Sequence, residues 1–433
     1  MQATKVGIVG LGTVGTGVVR LLMQHADRIQ RHAGGAISLK HAVVADTSKD
    51  RDIQLPADMI SDDLARICND PEISVVALVV GGLEPARTMA LRLLESGKDL
   101  VTANKALLAE HGPELFDRAR ELGRSIAFEA AVAGGIPIIT NISQCLSANQ
   151  VLSLSGILNG TTNFILSQME EKGMDFSVAL AEAQRLGYAE ADPTMDVDGS
   201  DATQKLAILA HLAFGSRANW KDIPRVGIDK LDAADIRYAN ELGYRIKLVA
   251  SAQMNGDQLE LHVSPTLVKI GHPLAEVRQA FNAVSVVGDA VGPLFFHGLG
   301  AGRMPTASAV VADLIDTVVG RAQITFRSLN LWSRRGPHTP ISEHAEAVGR
   351  FYLRFMVADN PGVLAEITGI LGRNKISIAS VIQNEPSADS DGYVGLVIMT
   401  HNASEGAAAR AVGQIDRLLV VRPASVRMRV LDN

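Results

Sequence analysis

The stretch GYAEADPTMDVDGSDATQK (187–205) carries the residue types that proton transfer requires. Five carboxylates lie in a loop broken by glycine and proline, and the apolar residues that follow predict a helix. Ser200 or Asp201 is the expected N-cap of that helix. Asp201 and Lys205 are four residues apart, so they share one helix face. A lysine among carboxylates suits an amino-acid-like substrate and movement of a proton, but a capped helix with a solvated ion pair would use the same residues.

The remaining acidic residues of this loop do not predict a divalent metal site. The segment DPTMDVDG lacks the ligand count and the terminal glutamate of a calcium loop. Asp192 and Asp198 are instead expected to cap turns, and Asp196 is assigned a structural role as well. Glu190 and Asp192 lie upstream in the loop and are both placed to fold back over the helix face that carries Asp201.

A second candidate site follows a short β-branched run at the N-terminus. Its motif, GLGTVG (10–15), stands between a predicted strand and a predicted helix, which is the context of a dinucleotide-binding loop. Gly10 permits the tight turn, Gly12 lets the backbone approach a pyrophosphate, and Gly15 allows close packing of helix on strand. Thr13 and Val14 lie in the same motif and are assigned to the cofactor as well, and the N-terminus of the helix that follows attracts phosphate. A glycine-rich turn without a ligand is the alternative.

The preference between NAD and NADP is left open by the end of the second predicted strand (37–45). Asp46 follows this strand, and an acidic residue there favours the free ribose hydroxyls of NAD. It comes later after the glycine motif than is usual, and Lys49 and Arg51, which would favour the NADP phosphate, follow it. A plain surface turn explains these residues equally well.

Alternating apolar strands and helices continue to about residue 129 and predict a doubly wound parallel sheet. The further strands are predicted at 74–82, 99–104 and 125–129. Ligands of such sheets bind beyond the carboxyl ends of the strands. Gly81, Asn104, Lys105 and Glu129 all fall at these ends, although Lys105 could simply begin a helix.

Several long motifs give the chain a family resemblance. They are GLGTVGTGV, VTANKALLA, EAAVAGGIPII, GILNGTTNFIL and GYAEADPTMDVDGSDATQKLAILA, in this order, followed by VGPLFFHGLGAGRMPTASAVVADLID. Together they resemble homoserine dehydrogenase. The resemblance implies a reversible NAD(P)-dependent conversion between L-homoserine and L-aspartate 4-semialdehyde, in the biosynthesis of threonine, methionine and isoleucine. The segment TNISQCLSANQ (140–150) is less typical of the family.

The resemblance also implies roles for individual residues. Lys205 would be the proton donor, and Lys105 would lie beside the nicotinamide and the substrate as a second catalytic cation. Two ammonium groups in one cleft would lower each other's pKa. Glu190 and Asp201 would hold the substrate, and Gly187 would line its pocket.

Two further sites follow from the same resemblance. A monovalent cation, Na+, would be bound by the Glu129 carboxylate and by backbone carbonyls of Val132, Gly134 and Ile136. An ordinary Gly/Pro loop held by hydrogen bonds is the alternative. Gly302, at the entrance of the last apolar helix before the C-terminal region, would lie near the cofactor as that helix returns to the nucleotide domain.

The C-terminal residues predict a βαββαβ unit. The segment DNPGVLAEI in its first loop resembles an ACT domain, which implies binding of an amino acid between paired domains. Threonine is the expected effector, with Asn360 and Gly362 contacting it and Gln383 facing them across the interface. An oligomerisation module without a ligand is the alternative.

The expected fold class is therefore α/β: a Rossmann-type sheet, an α+β substrate and dimerisation domain, and an ACT domain. The predicted boundaries are 1–139 with 300–330 for the dinucleotide domain, 140–299 for the substrate domain, 331–348 for a linker and 349–433 for the ACT domain. The segments IKLVASAQ and LELHVSPTLV predict antiparallel strands. Such a sheet suggests a homodimer or homotetramer.

The composition of the 433 residues fits a soluble globular protein, which is expected to be cytoplasmic. Hydrophobic residues make up 47% and charged residues 20% of the chain, and the net charge of −6 argues against nucleic-acid binding. Cys68 and Cys145 match no metal or redox spacing. No membrane span, secretory signal or aspartate-kinase-like segment is predicted.

Two other functions are compatible with the sequence. One is a different NAD(P)-linked reductase of a small amino-acid aldehyde or alcohol, and the other is a non-enzymatic amino-acid sensor with a degenerate Rossmann core.

Overall fold

The computed structural model describes residues 3–333, 338–383 and 392–431. Contacts divide the chain into two compact units. The first unit comprises Met1–Leu154, Thr203–Ile223 and Phe281–Pro340. The second comprises Ser155–Ala202, Pro224–Ala280 and Ile341–Asn433. Within the described ranges, no helix combines the length and the apolar character that crossing a membrane requires.

Strands occur in both units. In chain order they are β1 (Thr4–Val9), β2 (Ile37–Val43), β3 (Ile60–Ser61), β4 (Ile73–Leu78), β5 (Asp99–Thr102), β6 (Ile126–Ala127), β7 (Val151–Ile157), β8 (Tyr244–Asn255), β9 (Gln258–Lys269), β10 (Phe281–Gly288), β11 (Gly292–Leu299), β12 (Val348–Ala358), β13 (Ile378–Gln383), β14 (Tyr393–Thr400), β15 (Ala403–Ser404) and β16 (Val421–Leu431).

The α-helices alternate with these strands in the first third of the chain. They are α1 (Thr13–Gln24), α2 (Ala26–Ala33), α3 (Ala65–Cys68), α4 (Ala86–Glu95), α5 (Lys105–Glu121), α6 (Ile138–Thr140), α7 (Gly160–Lys172), α8 (Phe176–Arg185), α9 (Thr194–Val197), α10 (Ser200–Phe214), α11 (Ala233–Glu241), α12 (Arg303–Val318), α13 (Arg321–Leu329), α14 (Val363–Arg373) and α15 (Glu405–Ile415).

The first unit is built on a parallel sheet of six strands in the order β3-β2-β1-β4-β5-β6. This is the order of a dinucleotide-binding Rossmann sheet, so the predicted α/β class is confirmed. Its core contains β-branched residues of β1 and β4 together with one face of α1. Helix α12 joins that core through Ala307, Val310 and Leu314, as expected for a helix that returns to the nucleotide domain.

Four predicted strands are longer than the observed ones. β2 ends at Val43, β4 at Leu78 and β5 at Thr102, and β6 contains two residues. Beyond Leu78 the backbone leaves the strand near the glycine loop, and the Val79 amide donates to the Val9 carbonyl. The apolar run continues past β4 because Val79, although only half-buried, packs against the core of the first unit.

The residues from 321 to 348 are rich in polar side chains and predict a linker, although the domain limits assign 321–330 to the dinucleotide domain. The linker prediction is wrong for 321–329. Residues 321–329 form α13, because Phe326 is buried against Phe116, with ring centroids 5.2 Å apart. Trp332 belongs to the same aromatic cluster. Arg334, Arg335, Gly336 and Pro337, which also suggested the linker, lie outside the described residues.

The second unit contains the strands β8-β9-β16-β12-β14-β13 in this order. β8 and β9 pair in antiparallel fashion, as predicted, and β16 runs parallel to β9. The C-terminal elements β12, α14, β13, β14, α15 and β16 form the predicted βαββαβ unit, with the short β15 added beside β12. Apolar residues of α14 and α15 pack on its strands.

Candidate active site

The glycine loop between β1 and α1 has the geometry that a dinucleotide needs. Gly10 has a φ of +100°, in the region that favours glycine. A side chain at Gly15 would begin 2.0 Å from the Gly10 carbonyl oxygen, so only glycine fits there. A Cβ at Gly12 would meet no atom within 4 Å. The backbone at Gly12 is thus open to a phosphate, beside the α1 amides that start at Thr13 and Val14.

The ends of β4 and β5 are fixed beside this loop by Asn104. Its side chain accepts from the Leu107 amide at 3.0 Å and so caps α5. Its amide nitrogen donates to the carbonyls of Val80 and Gly82 at 2.9 and 2.6 Å. Lys105 is the first residue of α5 and is half-buried. The predicted helix start is thereby confirmed, and the lysine stands at the carboxyl end of the sheet.

Helix α12 brings Gly302 to the same part of the first unit. Gly302 is exposed, has a φ of +122° and is the N-cap residue of α12. A Cβ at Gly17 of α1 would lie 2.9 Å from both the Arg303 carbonyl and the Ala307 side chain. The two helix N-termini therefore approach each other closely.

The loop after β2 holds Asp46 as an exposed anion. Hydrogen bonds from the Ser48 hydroxyl and amide, at 2.6 and 2.9 Å, lower the pKa of Asp46. Arg51 donates to the Asp46 backbone carbonyl at 2.5 Å. A residue that the sequence did not single out, Asp52, bonds Arg20 at 2.7 Å and Arg303 at 3.1 Å. It connects the loop to α1 and α12.

Helix α10 carries the proposed acid and its neighbour. Asp201 lies in the first turn and Lys205 one turn later, half-buried. The expected cap was Ser200 or Asp201, but the helix begins at Ser200, so Asp201 lies inside it. Asp198 accepts from the Ser200 amide and hydroxyl, both at 2.8 Å. The turn role predicted for Asp198 is confirmed.

In the second unit, Asp201 is held by a buried asparagine. The Asn159 amide nitrogen donates to Asp201 Oδ2 at 2.8 Å and to Asp196 Oδ1 at 2.7 Å. Asn159 also caps α7 by accepting from the Thr162 amide. Asn159 and Asp201 are 4% and 6% exposed. The asparagine therefore positions carboxylates, a contact that joins residues 42 positions apart.

The other predicted substrate residues occupy the loop between α8 and α9. Gly187 has a φ of +77°, and a Cβ there would meet no atom within 4 Å. Glu190 is exposed, and its carbonyl accepts from Gln184 at 3.1 Å. Asp192 accepts from the Thr194 amide and hydroxyl, as predicted for a turn.

Glu129 is buried, and both oxygens of its carboxylate accept hydrogen bonds from α6. It accepts from the Ile139 amide and from the Thr140 amide and hydroxyl at 2.5 to 2.8 Å. Burial raises its pKa. Asp313 of α12, which the sequence analysis missed, accepts from the Glu129 amide at 2.8 Å, and burial raises its pKa strongly. The available signal was an aspartate within a largely apolar helix, although the same helix also contains Asp316.

The residues 132–136 that would supply carbonyl ligands lie against the 299–305 loop. A Cβ at Gly134 would be 2.5 Å from the Gly300 carbonyl oxygen. The Ile136 carbonyl accepts from the Ile138 amide at 2.8 Å. Asn282 lies against Gly300 and is 1% exposed, and both polar atoms of its side chain lack a partner within the described residues. The described part of the chain contains no cluster of three or more His, Cys, Asp or Glu side chains that could hold a metal ion.

The predicted effector residues gather at one end of the ACT unit. Gly362 has a φ of +95° and is the N-cap residue of α14. The Asn360 carbonyl accepts from the Val363 amide. Gln383 donates to Asp359 of its own chain at 3.4 Å. Gln383 therefore reaches the first loop within one chain.

The parallel sheet, the glycine loop and the lysine at the sheet's carboxyl end define a dinucleotide-dependent oxidoreductase. Comparison with protein families gives three matches: the homoserine dehydrogenase NAD-binding domain at 10–129, homoserine dehydrogenase at 137–315 and the ACT domain at 351–420. The chain belongs to the homoserine dehydrogenase family. It is an NAD(P)-dependent oxidoreductase that acts on a CH–OH group and carries an ACT domain.

Individual relatives support this membership over the whole chain. The homoserine dehydrogenase of Pseudomonas aeruginosa is 44% identical and that of Bacillus subtilis 38% identical, and each match covers 99% or more of both chains. A crystal structure of a homoserine dehydrogenase from Thiobacillus denitrificans has a TM-score of 0.90 at 41% identity, covering 100% of this chain and 99% of that one. An archaeal homoserine dehydrogenase solved in complex with NADPH has a TM-score of 0.61 at 25% identity, covering 78% and 100%.

Proposed function

We propose that this enzyme interconverts L-homoserine and L-aspartate 4-semialdehyde, with Lys205 as the proton donor. The bound nicotinamide would supply a hydride to the aldehyde carbon. Lys205 would give a proton to the oxygen as it becomes an alkoxide, and would take it back in the reverse direction. The observation that carries the proposal is Asp201, buried and fixed by Asn159 one turn before Lys205 on α10. The identity of the substrate is inferred from membership of the homoserine dehydrogenase family.

The substrate contacts are assigned from charge. The α-ammonium of homoserine needs carboxylates, and Asp201 and Glu190 are the proposed ones. Asp201 is buried and oriented, so it would fix the ammonium group of the substrate. Glu190 is exposed and would contact the same ammonium group from the solvent side. Gly187, with no side chain, would leave room beside them. Lys105 would act as the second cation near the nicotinamide.

Replacing Lys205 with Ala tests the assignment. We expect kcat to fall by about 10²- to 10⁴-fold, the usual contribution of a positioned acid, while KM for homoserine changes only a few-fold. The measurement is NADPH formation or consumption in both directions. Lys172→Ala, which removes an exposed lysine at the end of α7, is the matched control and should retain full activity. A Lys205→Ala enzyme with near-normal kcat would remove Lys205 as the proton donor.

The cofactor would be held by Gly10, Gly12, Gly15, Thr13 and Val14, with Gly302 and Lys105 beside it. NAD and NADP are both candidates, and we propose that Asp46 sets the preference. Its negative charge would repel a 2′-phosphate, whereas Arg51 would attract one. Asp46→Ala should raise the NADP over NAD ratio of kcat/KM by about tenfold, a change that one lost repulsive contact can produce. Asp50→Ala, in the same exposed loop, should leave the ratio unchanged.

A monovalent cation, Na+, is proposed at the turn formed by Glu129, Val132, Gly134 and Ile136. The carboxylate and carbonyl oxygens of this turn are hard ligands. Replacing NaCl with choline chloride at equal ionic strength should lower the activity of the native enzyme. Glu129→Gln should abolish that difference, with thermal unfolding as the check that the variant is folded. An equal rate in both salts would exclude the cation.

A homodimer or homotetramer is proposed from the hairpin β10–β11. Phe281, Phe295 and Leu299 expose 37%, 39% and 45% of their surface on its outward face. Phe281 and His297 stack with ring centroids 5.1 Å apart. Light scattering on the native enzyme should give a dimer or tetramer, and Phe295→Lys should shift it toward a monomer.

We also propose that the enzyme acts in the biosynthesis of threonine, methionine and isoleucine. Threonine is the proposed feedback inhibitor.

A further inference from the structure

The second unit contains a cavity of about 250 Å³ that none of the proposed roles uses. It lies beside β9 and β16, where these strands run parallel. Its lining combines polar side chains with apolar residues that include Val263, Phe351 and Met428. The polar lining residues are Arg225, His344, His262 and Ser264 of β9, Glu405 of α15, and Arg427 and Arg429 of β16.

Four buried atoms of this lining lack a hydrogen-bond partner among the described residues. They are His262 Nδ1, His344 Nδ1, Ser264 Oγ and Arg429 Nη2. Buried polar groups normally have partners, because an unpaired one costs about 1–3 kcal/mol. His262 is only 7% exposed, so bulk solvent does not satisfy it. Glu260 Oε1 is 3.7 Å from its Nδ1, which is too far for a hydrogen bond.

The acids near the cavity are already used by the arginines. Arg429 Nε bonds Glu405 at 3.1 Å and Arg429 Nη1 bonds Glu260 at 2.6 Å. Arg427 pairs with the other oxygen of Glu405. These pairs neutralise both carboxylates, and Arg429 Nη2 still has a hydrogen to donate. The lining is therefore rich in donors and poor in available acceptors.

The two histidines add neutral donors. Burial lowers the pKa of His344 to about 4 and holds that of His262 well below its usual value, and the nearby arginines act in the same direction. A neutral imidazole can donate from Nδ1 when its Nε2 is unprotonated. The two ring centroids are 6.4 Å apart, so one small molecule between them can reach both.

We infer that this cavity binds a small oxyanion, a carboxylate or a phosphate. Such a group offers several acceptor oxygens, which the Arg429, Ser264 and histidine donors require. Arg427 and the rim residue Arg225 add positive charge around it. Because β9 and β16 both line the cavity, the bound anion would connect the ACT unit to the β8–β9 hairpin.

This site differs from the proposed effector site at Asn360. Phe351 lies near the start of β12 and Asn360 follows its end. Phe351 and Ala358, the last residue of β12, are seven positions apart, which is roughly 23 Å along a strand, and Asn360 lies two residues further along the chain. Occupancy of one site therefore does not fill the other, and failure of threonine regulation would leave this inference intact.

Histidine NMR on the full-length chain tests the inference. With ¹⁵N-labelled histidine, the imidazole signals of His262 and His344 are assigned from His262→Gln and His344→Gln. Inorganic phosphate and sodium acetate are titrated separately in the absence of dinucleotide. Both histidine signals should shift and saturate with at least one probe, and the probe that saturates identifies phosphate or carboxylate. His211, buried in the first unit, is the internal reference and should not shift.

A matched pair of serine variants separates the site from a general salt effect. Ser264→Ala should weaken binding about tenfold, as expected for one hydrogen bond to a charged group. Ser216→Ala removes a buried hydroxyl outside the cavity that also has no hydrogen-bond partner in the described part of the chain, and it should leave the affinity unchanged. Signals that stay fixed with both probes would overturn the inference. An equal response to sodium chloride, or an equal loss in both variants, would overturn it as well.

Discussion

At the scale of single residues, the two glycines of the nucleotide loop should respond differently to alanine. A Cβ at Gly15 would lie 2.0 Å from a backbone oxygen, so Gly15→Ala should lower both the unfolding temperature and NADPH affinity. A Cβ at Gly12 meets nothing within 4 Å, so Gly12→Ala should keep the unfolding temperature and lose affinity. Cofactor fluorescence titration and thermal unfolding measure the two effects.

Equal losses of stability in the two variants would contradict this distinction.

The glycine loop could be predicted from the sequence because the residues it requires lie within six consecutive positions. The contact of Asn159 with Asp201 could not be predicted, since it joins 42 positions and depends on how α7 and α10 pack. Asp313 was missed for the same reason: its partner, the Glu129 amide, lies 184 positions away.

At the scale of elements, the end of α10 should make the first unit sensitive to acid. His211 is within hydrogen-bond distance of the Ser216 carbonyl through Nδ1 and of the Trp332 amide through Nε2, and its ring stacks on Trp332 at 4.6 Å. Burial lowers its pKa to about 4, from 6.5. The unfolded chain binds more protons between these values, so stability is full above pH 6.5 and decreases as the pH falls toward 4.

The expected loss is on the order of 1–3 kcal/mol over that range. Both tryptophans, Trp220 and Trp332, belong to the first unit, so their fluorescence during urea unfolding reports on it. His211→Gln should reduce the dependence of the urea midpoint on pH between 7 and 5. His25→Gln, at an exposed position, is the control. An unchanged pH dependence in His211→Gln would contradict the assignment.

Elements were predicted better by type than by length. Helices α1, α5 and α12 begin near the expected residues. Helix starts can be predicted because capping and apolar periodicity depend only on residues that are close in the sequence. α13 was missed because its composition is polar. Its single buried ring, Phe326, finds partners in Phe116 and Trp332, which only the folded chain brings together.

At the scale of the whole molecule, the order of the dinucleotide, substrate and ACT domains could be predicted from the sequence. The residues at which these domains begin and end could not be predicted from composition. Helix α10 begins in the second unit and continues in the first, since Ala202 and Thr203 fall on different sides of the division. A helix has no composition change at such a point. The predicted boundaries at 139, 299 and 348 therefore stay predictions.

Regulation by an effector involves the whole molecule, because the ACT unit and Lys205 lie in different segments of the chain. If threonine binds beside Asn360 and Gly362, it should lower the reaction rate of the native enzyme in a saturable way. Asn360→Ala should raise the concentration for half-inhibition about tenfold, the effect of one or two lost hydrogen bonds, while kcat without threonine stays normal. Asn374→Ala, at the opposite end of α14, is the matched control and should respond like the native enzyme. A rate that does not change over a wide range of threonine concentrations would exclude threonine as the effector, and equal responses of the two variants would exclude Asn360 from its site.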